Sequence, residues 1–195
     1  MSDSLIPAIG ILFAAAITPG PNNMIVMQAG ARGGAAAASA VIFGVVSGSL
    51  VLLTLVWLGV GAALRASPNL QLAVSIAGGA YLAWLGVSLM LRGSGNPSDS
   101  PPPALPSTML GVAGFQLLNP KAWLLVTATA AAMPRMSGVA TLAILIAVVT
   151  TLCLLAWAVA GAASSRVLGR KSARLWFDRA MGALLAVSAL TLVAG

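Results

Sequence analysis

Charged residues are so sparse in this sequence that they limit what the chain can fold into. Ten Lys or Arg and three Asp or Glu occur among 195 residues, and 59% of the residues are hydrophobic. A soluble domain has about 25% charged residues, and even a well-folded chain of this size leaves a large surface that polar groups must cover. The sequence therefore predicts an integral membrane protein.

Single charges separate six apolar runs, and each run is long enough to cross a bilayer, which needs roughly 20 apolar residues. The runs are 5–29, 37–63, 69–91, 108–133, 138–163 and 175–194. The stretch 93–107 is rich in Pro and Ser, which predicts a linker between a first half, 1–92, and a second half, 108–195, of one transmembrane domain. The predicted fold class is all-α, a polytopic membrane bundle of six transmembrane helices.

Basic residues in the short loops predict the orientation, because Lys and Arg accumulate in cytoplasmic loops. The first, third and fifth loops hold six of them, whereas the second and fourth hold only Arg65 and Arg135. The odd-numbered loops are therefore expected in the cytoplasm and both termini outside. Two halves of three spans would then have opposite orientations, which is the architecture of a 3+3 inverted repeat.

The residue types that the sequence lacks exclude several classes of function. There is no His, no Glu and a single Cys, Cys153. A His-based metal site, a Ser/His dyad and a thiol pair therefore cannot form, so neither an enzyme nor a bound cofactor is expected. Nucleic-acid binding is not expected either, because most basic residues stand singly between apolar runs.

Two further groups of residues are interpreted as structural. Small residues let helix backbones approach closely, which is the role expected of Gly44, Gly48, Gly86 and Gly182. The basic cluster at 166–174 is expected to lie on anionic lipid. Within that cluster, Arg174 is one turn from Asp178 and is able to pair with it.

Proline and asparagine interrupt the first apolar run of each half near its middle. The first break consists of Thr18, Pro19, Gly20, Pro21, Asn22 and Asn23, and the second of Asn119, Pro120 and Lys121. A proline inside a helix leaves the carbonyl four residues earlier without a partner. The carbonyls freed in this way belong to Ala15, Ile17 and Gln116.

A kink needed only for packing would require fewer such residues than the first break contains. Freed carbonyls at membrane depth need partners in protein or in a water-lined cavity. Helix ends created there carry partial charges that suit ions and zwitterions. The paired breaks therefore predict a central substrate site with broken first and fourth helices.

Lys121 lies near the centre of the fourth run, which has no other ionisable residue between Thr108 and Met133. A cation at that depth costs at least about 2.5–3.5 kcal/mol on insertion scales, so it usually faces a cavity or a partner. Snorkelling is not expected, because either interface is about 15 Å away along the helix. No acidic partner is expected inside the spans.

Two roles for Lys121 remain open. In the first, its ammonium binds the carboxylate of a neutral amino acid, whose own ammonium binds Asn22, Asn23, Asn119 and the carbonyl of Gln116. In the second, Lys121 only donates hydrogen bonds to the orphan carbonyls of the broken helix.

Four segments resemble the LysE/RhtB family of bacterial amino-acid exporters over nearly the whole chain: AITPGPNNMIVMQAGARGG, AGGAYLAWLGVSLM, FQLLNPKAW and WAVAGAASSRVLGR. The TPGPNN element and the Trp-Ala-x-Ala-Gly pattern at 157–161 are most similar to the cysteine/O-acetylserine exporters. The resemblance implies a carrier in the bacterial cytoplasmic (inner) membrane, driven by the proton motive force. Members handling basic amino acids tend to carry acidic residues in or near the fourth and fifth spans. The corresponding stretches of this chain contain no acidic residue and read LLV at 124–126 and TTLCL at 150–154.

The predicted function is a secondary transporter that exports small neutral amino acids or derivatives, of the cysteine/O-acetylserine or homoserine/threonine type. The alternatives are an ion channel or carrier, in which freed carbonyls coordinate a cation, and a non-transporting membrane scaffold. The expected partners are the amino acid and membrane lipid, without nucleic acid, and a homodimer is left open. The predicted substrate-binding residues are the two breaks and Gln116, with no catalytic, cofactor-binding or metal-binding residue.

Overall fold

The computed structural model describes residues 2–91, 108–133, 138–168 and 171–194, and these residues form eight α-helices and no strand. The predicted linker 93–107 lies outside the described residues. The helices are α1 (Ser2–Ile17), α2 (Pro21–Trp57), α3 (Val60–Ala66), α4 (Pro68–Met90), α5 (Met109–Leu118), α6 (Pro120–Ala132), α7 (Gly138–Leu168) and α8 (Lys171–Ala194). The all-α fold class is confirmed.

Three helical segments of the described chain are individually long and apolar enough to cross a membrane: Pro21–Trp57, Pro68–Met90 and Gly138–Ser164. Shorter apolar helices cover Leu5–Ile17, Met109–Leu118 and Lys121–Ala132. These shorter helices belong to the two interrupted runs, since α1 precedes the first break and α5 and α6 flank the second. The inverted repeat of six spans stays a prediction.

Helix α2 consists of two helical segments, 21–33 and 35–57, which meet at Gly34 within the expected first loop. The backbone of Gly34 is non-helical, with φ 62° and ψ −154°, so the 37 residues of α2 are not one continuous helix. Only glycine adopts this backbone conformation without strain. A kink at Gly34 therefore takes the place of a longer loop between the first two apolar runs.

Glycines bring the helix backbones of this bundle into direct contact. A Cβ at Gly161 in α7 would overlap the carbonyl oxygen of Met27 in α2. At the crossing of α4 and α8, a Cβ at Gly86 would lie 2.6 Å from the carbonyl oxygen of Gly182, and one at Gly182 would lie 2.5 Å from that of Gly86. The predicted role of Gly86 and Gly182 in close helix packing is confirmed.

Two clusters of buried apolar side chains leave a polar level between them. Along α7, Ile146 belongs to one cluster and Leu154 to the other, and Thr150 lies midway between them on the same helix face. Along α2, Ser49 lies in the same way between Val45 and Leu52. Polar side chains at this level are enclosed by apolar layers on both sides.

An ion pair joins α2 to α8. Arg32 donates to the two carboxylate oxygens of Asp178 at 2.9 and 3.1 Å, and Gln28 donates to the same carboxylate at 3.3 Å. Asp178 is only 4% exposed. The expectation that no acidic residue lies inside the apolar runs is therefore wrong, and Asp178 pairs with Arg32. The side chain of Arg174, the expected partner, lies outside the described part of the structure.

Candidate functional site

Four helix ends form the candidate site. Helix α1 ends at Ile17 and α2 begins at Pro21, whereas α5 ends at Leu118 and α6 begins at Pro120. Proline is well suited to the first position of a helix, where its missing N–H would have no partner within the helix. Pro21 and Pro120 therefore start new helices instead of kinking a continuous one, and the chain crosses the second break through Asn119 alone.

Side chains from other parts of the chain satisfy the carbonyls at the end of α1. Asn23 donates through Nδ2 to the carbonyl oxygens of Ala16, at 2.9 Å, and Thr18, at 2.8 Å. The indole Nε1 of Trp157 in α7 donates to the carbonyl of Ile17 at 3.2 Å. The broken helix end is therefore held by donors that a continuous helix would not need.

The ammonium of Lys121 also contacts this end of α1. Its Nζ lies 2.7 Å from the carbonyl oxygen of Thr18 and 3.3 Å from that of Pro19. A cation at a helix C-terminus is favoured by the partial negative charge of the carbonyls there. Gly20 makes room for this arrangement, because a Cβ at that position would lie 2.9 Å from Nζ.

A chain of side-chain amides connects the two breaks. Asn119 donates through Nδ2 to Oδ1 of Asn22 at 3.3 Å and to Oε1 of Gln116 at 3.4 Å. Gln116 in turn donates to the hydroxyl of Ser49 at 2.9 Å. Gln116 and Asn119 are each 1% exposed. These buried groups satisfy one another, which fixes the relative positions of α2, α5 and α6 at the site.

The two helices that begin at the breaks are capped differently. Oδ1 of Asn119 accepts the backbone N–H of Lys121 at 3.1 Å and so caps α6. The N-cap of α2 is Gly20, and no side chain of the described residues caps this helix. The N–H groups of the first turn of α2 therefore carry partial positive charge that suits an anion.

A cavity of about 430 Å³, counted with its open mouth, lies where these helix ends meet. The polar residues lining it are Asn22, Asn23, Ser49, Gln116, Asn119, Lys121 and Thr150. Within the described residues, no group of three or more His, Cys, Asp or Glu side chains could hold a metal ion.

The structure brings together the residues of the two breaks. Seven of the ten predicted site residues line the cavity: Gly20, Pro21, Asn22, Asn23, Gln116, Asn119 and Lys121. Thr18 and Pro19 contribute the carbonyls bound by Lys121, and Pro120 begins α6. Their role in binding a substrate stays a prediction.

Sequence reasoning missed three polar residues of this region. Ser49 and Thr150 line the cavity, and Trp157 binds the end of α1. Ser49 and Thr150 lie inside long apolar runs, each near a second hydroxyl residue, Ser47 and Thr151, so the sequence does not show which of them faces the site. Trp157 belongs to the Trp-Ala-x-Ala-Gly pattern, which marks its position without indicating its partner.

Comparison with known proteins identifies one family. Residues 13–195 match the family model described as LysE type translocator, so the match includes both breaks and every helix except the start of α1. No curated protein and no solved structure gives a significant match to the chain.

Proposed function

The chain belongs to the LysE type translocator family, whose members are amino-acid transporters and not enzymes, and from this premise we propose that it exports small neutral amino acids or their derivatives. In this proposal the protein lies in the bacterial cytoplasmic membrane with both termini outside. The substrates are of the cysteine/O-acetylserine or homoserine/threonine type. The proton motive force, implied by the resemblance to the exporters, is the proposed driving force.

The observation that carries the proposal is the position of the Lys121 ammonium in a polar cavity between two helix ends. It lies at the carbonyl end of α1 and beside Gly20, where the uncapped N-terminus of α2 begins. A substrate carboxylate at this point would be bound by the ammonium and by the free N–H groups of α2. The substrate ammonium would then take the carbonyls of Thr18 and Pro19.

The charges of the cavity support a neutral substrate. No Asp or Glu is among the described residues that line it, and Leu125 and Thr150 line it in the two stretches where relatives that handle basic amino acids tend to carry acids. A lysine or arginine side chain would enter without a counter-charge, at a cost of several kcal/mol. A metal cation is disfavoured as well, because Lys121 would repel it.

A counterflow experiment in proteoliposomes tests this function. Vesicles preloaded with unlabelled threonine, cysteine or O-acetylserine are expected to accumulate the radiolabelled form of the same compound with saturable kinetics. Vesicles preloaded with lysine and offered radiolabelled lysine serve as the control and are expected to stay near background. Ion flux without counterflow would favour a channel, absence of any flux would favour a scaffold, and a preference for lysine would contradict the proposed substrate class.

Gly20→Ala is expected to reduce export several-fold without loss of folded protein. The backbone of Gly20 is extended, with φ −173°, so alanine fits the chain without strain. Its Cβ would lie 2.9 Å from Nζ and 3.2 Å from Cδ of Lys121, so the flexible lysine must move. Counterflow per folded molecule measures the effect. Gly10→Ala, where a Cβ meets nothing within 4 Å, is the matched control. Parental transport by Gly20→Ala would contradict the assigned position of the ammonium.

A further inference from the structure

The hydroxyl of Thr150 in α7 is buried without a hydrogen-bond partner. The residue is 6% exposed and lines the cavity. Among the described residues, its Oγ1 is the buried side-chain oxygen that has no hydrogen-bond donor or acceptor within reach. Buried polar groups in proteins nearly always have a partner, so an orphan that faces a cavity indicates that something in the cavity supplies one.

Most neighbouring hydroxyls in this bundle satisfy themselves. A helical Ser or Thr commonly donates to the carbonyl four residues earlier. This bond is made by Thr18, Ser47, Ser49, Thr54, Ser88, Thr127, Thr129 and Ser164. Thr150 does not make this bond, although a threonine in any regular helix is able to donate to the carbonyl four residues earlier.

The other polar side chains at the level of Thr150 are bound to one another or to the backbone. Ser49 is paired with Gln116, Gln116 with Asn119, and Asn23 with the carbonyls at the end of α1. The breaks provide groups for a carboxylate and an ammonium, whereas Thr150 lies on a different helix. Its hydroxyl is therefore free for a third polar group of a bound molecule.

We propose that Oγ1 of Thr150 hydrogen-bonds a polar atom on the side chain of the substrate, so that the carrier selects small amino acids with a hydroxyl, thiol or ester group over apolar isosteres. This inference rests on the proposed function, since it assigns the third contact of the same site. A hydroxyl both donates and accepts, so it suits neutral polar groups. Such a site discriminates against an analogue lacking the polar atom, because the hydroxyl stays unpaired in that complex.

Competition between threonine and valine tests the inference, because the two amino acids have nearly the same shape. The parent protein is expected to bind threonine about tenfold more tightly than valine, the effect of one buried hydrogen bond. Thr150→Val keeps the shape of the side chain and removes the hydroxyl. It is expected to reduce the preference to twofold or less, whereas the control Thr150→Ser, which keeps a hydroxyl, should retain most of it.

A second measurement separates a binding role from a structural one. If the hydroxyl has no partner in the empty protein, Thr150→Val should be at least as thermally stable as the parent in detergent. A clear loss of stability in Thr150→Val but not in Thr150→Ser would show a structural partner and overturn the inference. Thr150→Ala also removes the hydroxyl, and it is expected to show the same loss of preference for threonine.

The outcomes distinguish this inference from the proposed function. If the parent binds both amino acids equally, or if Thr150→Val keeps the parental preference for threonine, the role of Thr150 is wrong and the function stands. If the parent binds none of threonine, valine, cysteine and O-acetylserine in the same assay, the proposed function is wrong and the inference falls with it.

Discussion

Lys121→Met is expected to reduce export at least about 30-fold per folded molecule, the effect of removing one partner from a buried, hydrogen-bonded pair of charges. Folding should change little. The variant loses the hydrogen bonds to Thr18 and Pro19, but the carbonyl of Thr18 keeps its bond from Asn23. Removal of a cation from membrane depth also recovers about 2.5–3.5 kcal/mol on insertion scales.

The competing role for Lys121 is structural, and it has direct support in the contacts with the end of α1. In that role Lys121→Met would lower the folded yield, while the protein that does fold would transport with parental kinetics. Lys121→Arg provides a second distinction, because a planar guanidinium does not replace a compact ammonium that binds a carboxylate. Counterflow with purified variants, normalised to monodisperse protein, measures both. Near-parental export by Lys121→Met would show that the carboxylate is bound elsewhere.

Gly161→Ala is expected to cause a large loss of thermal stability for a single added methyl group. The new Cβ would overlap the backbone carbonyl of Met27, so two long helices would have to separate. Overpacking typically costs about 1–3 kcal/mol, and a backbone contact has less room to adjust than a side chain. Against a total stability of about 5–15 kcal/mol, a cost of this size raises the ratio of unfolded to folded protein about 5- to 150-fold and lowers the thermal stability clearly.

Gly114→Ala is the matched control for this change. Gly114 also lies within a helix, α5, so the gain in helix propensity is comparable, but its Cβ meets nothing within 4 Å. Size-exclusion profiles and thermal stability in detergent should show a strong loss for Gly161→Ala and none for Gly114→Ala. Equal stability of the two variants would mean that α2 and α7 do not cross at Gly161 and Met27.

The features predicted from sequence are those determined by residues adjacent in the chain. The scarcity of charged residues is sufficient to predict a helical membrane bundle. Pro19, Pro21 and Pro120 mark helix ends because a proline disrupts the helix hydrogen bonds of its own segment. The two breaks were predicted to meet because each lies in the first apolar run of its half of the chain. The structure adds the bond between Lys121 and the carbonyl of Thr18, which are far apart in sequence.

Pairings between distant residues could not be derived in this way. The spacing rule for helices indicated only that Arg174 is able to pair with Asp178, and it could not predict that the carboxylate binds Arg32 from the other half of the chain. That choice depends on how α2 crosses α8, which no local pattern determines. The role of Thr150 could not be predicted for the same reason. Whether its hydroxyl has a hydrogen-bond partner depends on which side chains of other helices lie beside it.

The connection between the first two apolar runs is shorter than the sequence predicted. A loop was expected around Arg32 because a charge and several small residues separate two apolar runs. Alanine is the best helix former, and its abundance at 35–38 favours helix over loop even where the chain changes direction. One glycine in a non-helical conformation, Gly34, provides the change of direction.

The hydrogen bonds of Lys121 to the end of α1 have a consequence for how tightly a cargo is held. These bonds already join a cation to carbonyl oxygens, as the ammonium of an arriving zwitterion would. In the proposed site, the substrate carboxylate binds Lys121, and the substrate ammonium binds the carbonyls that Lys121 has left. Substrate binding therefore mainly replaces existing hydrogen bonds and adds few new ones. The net affinity is then moderate. A carrier needs this, because whatever it binds on one side of the membrane it must let go on the other.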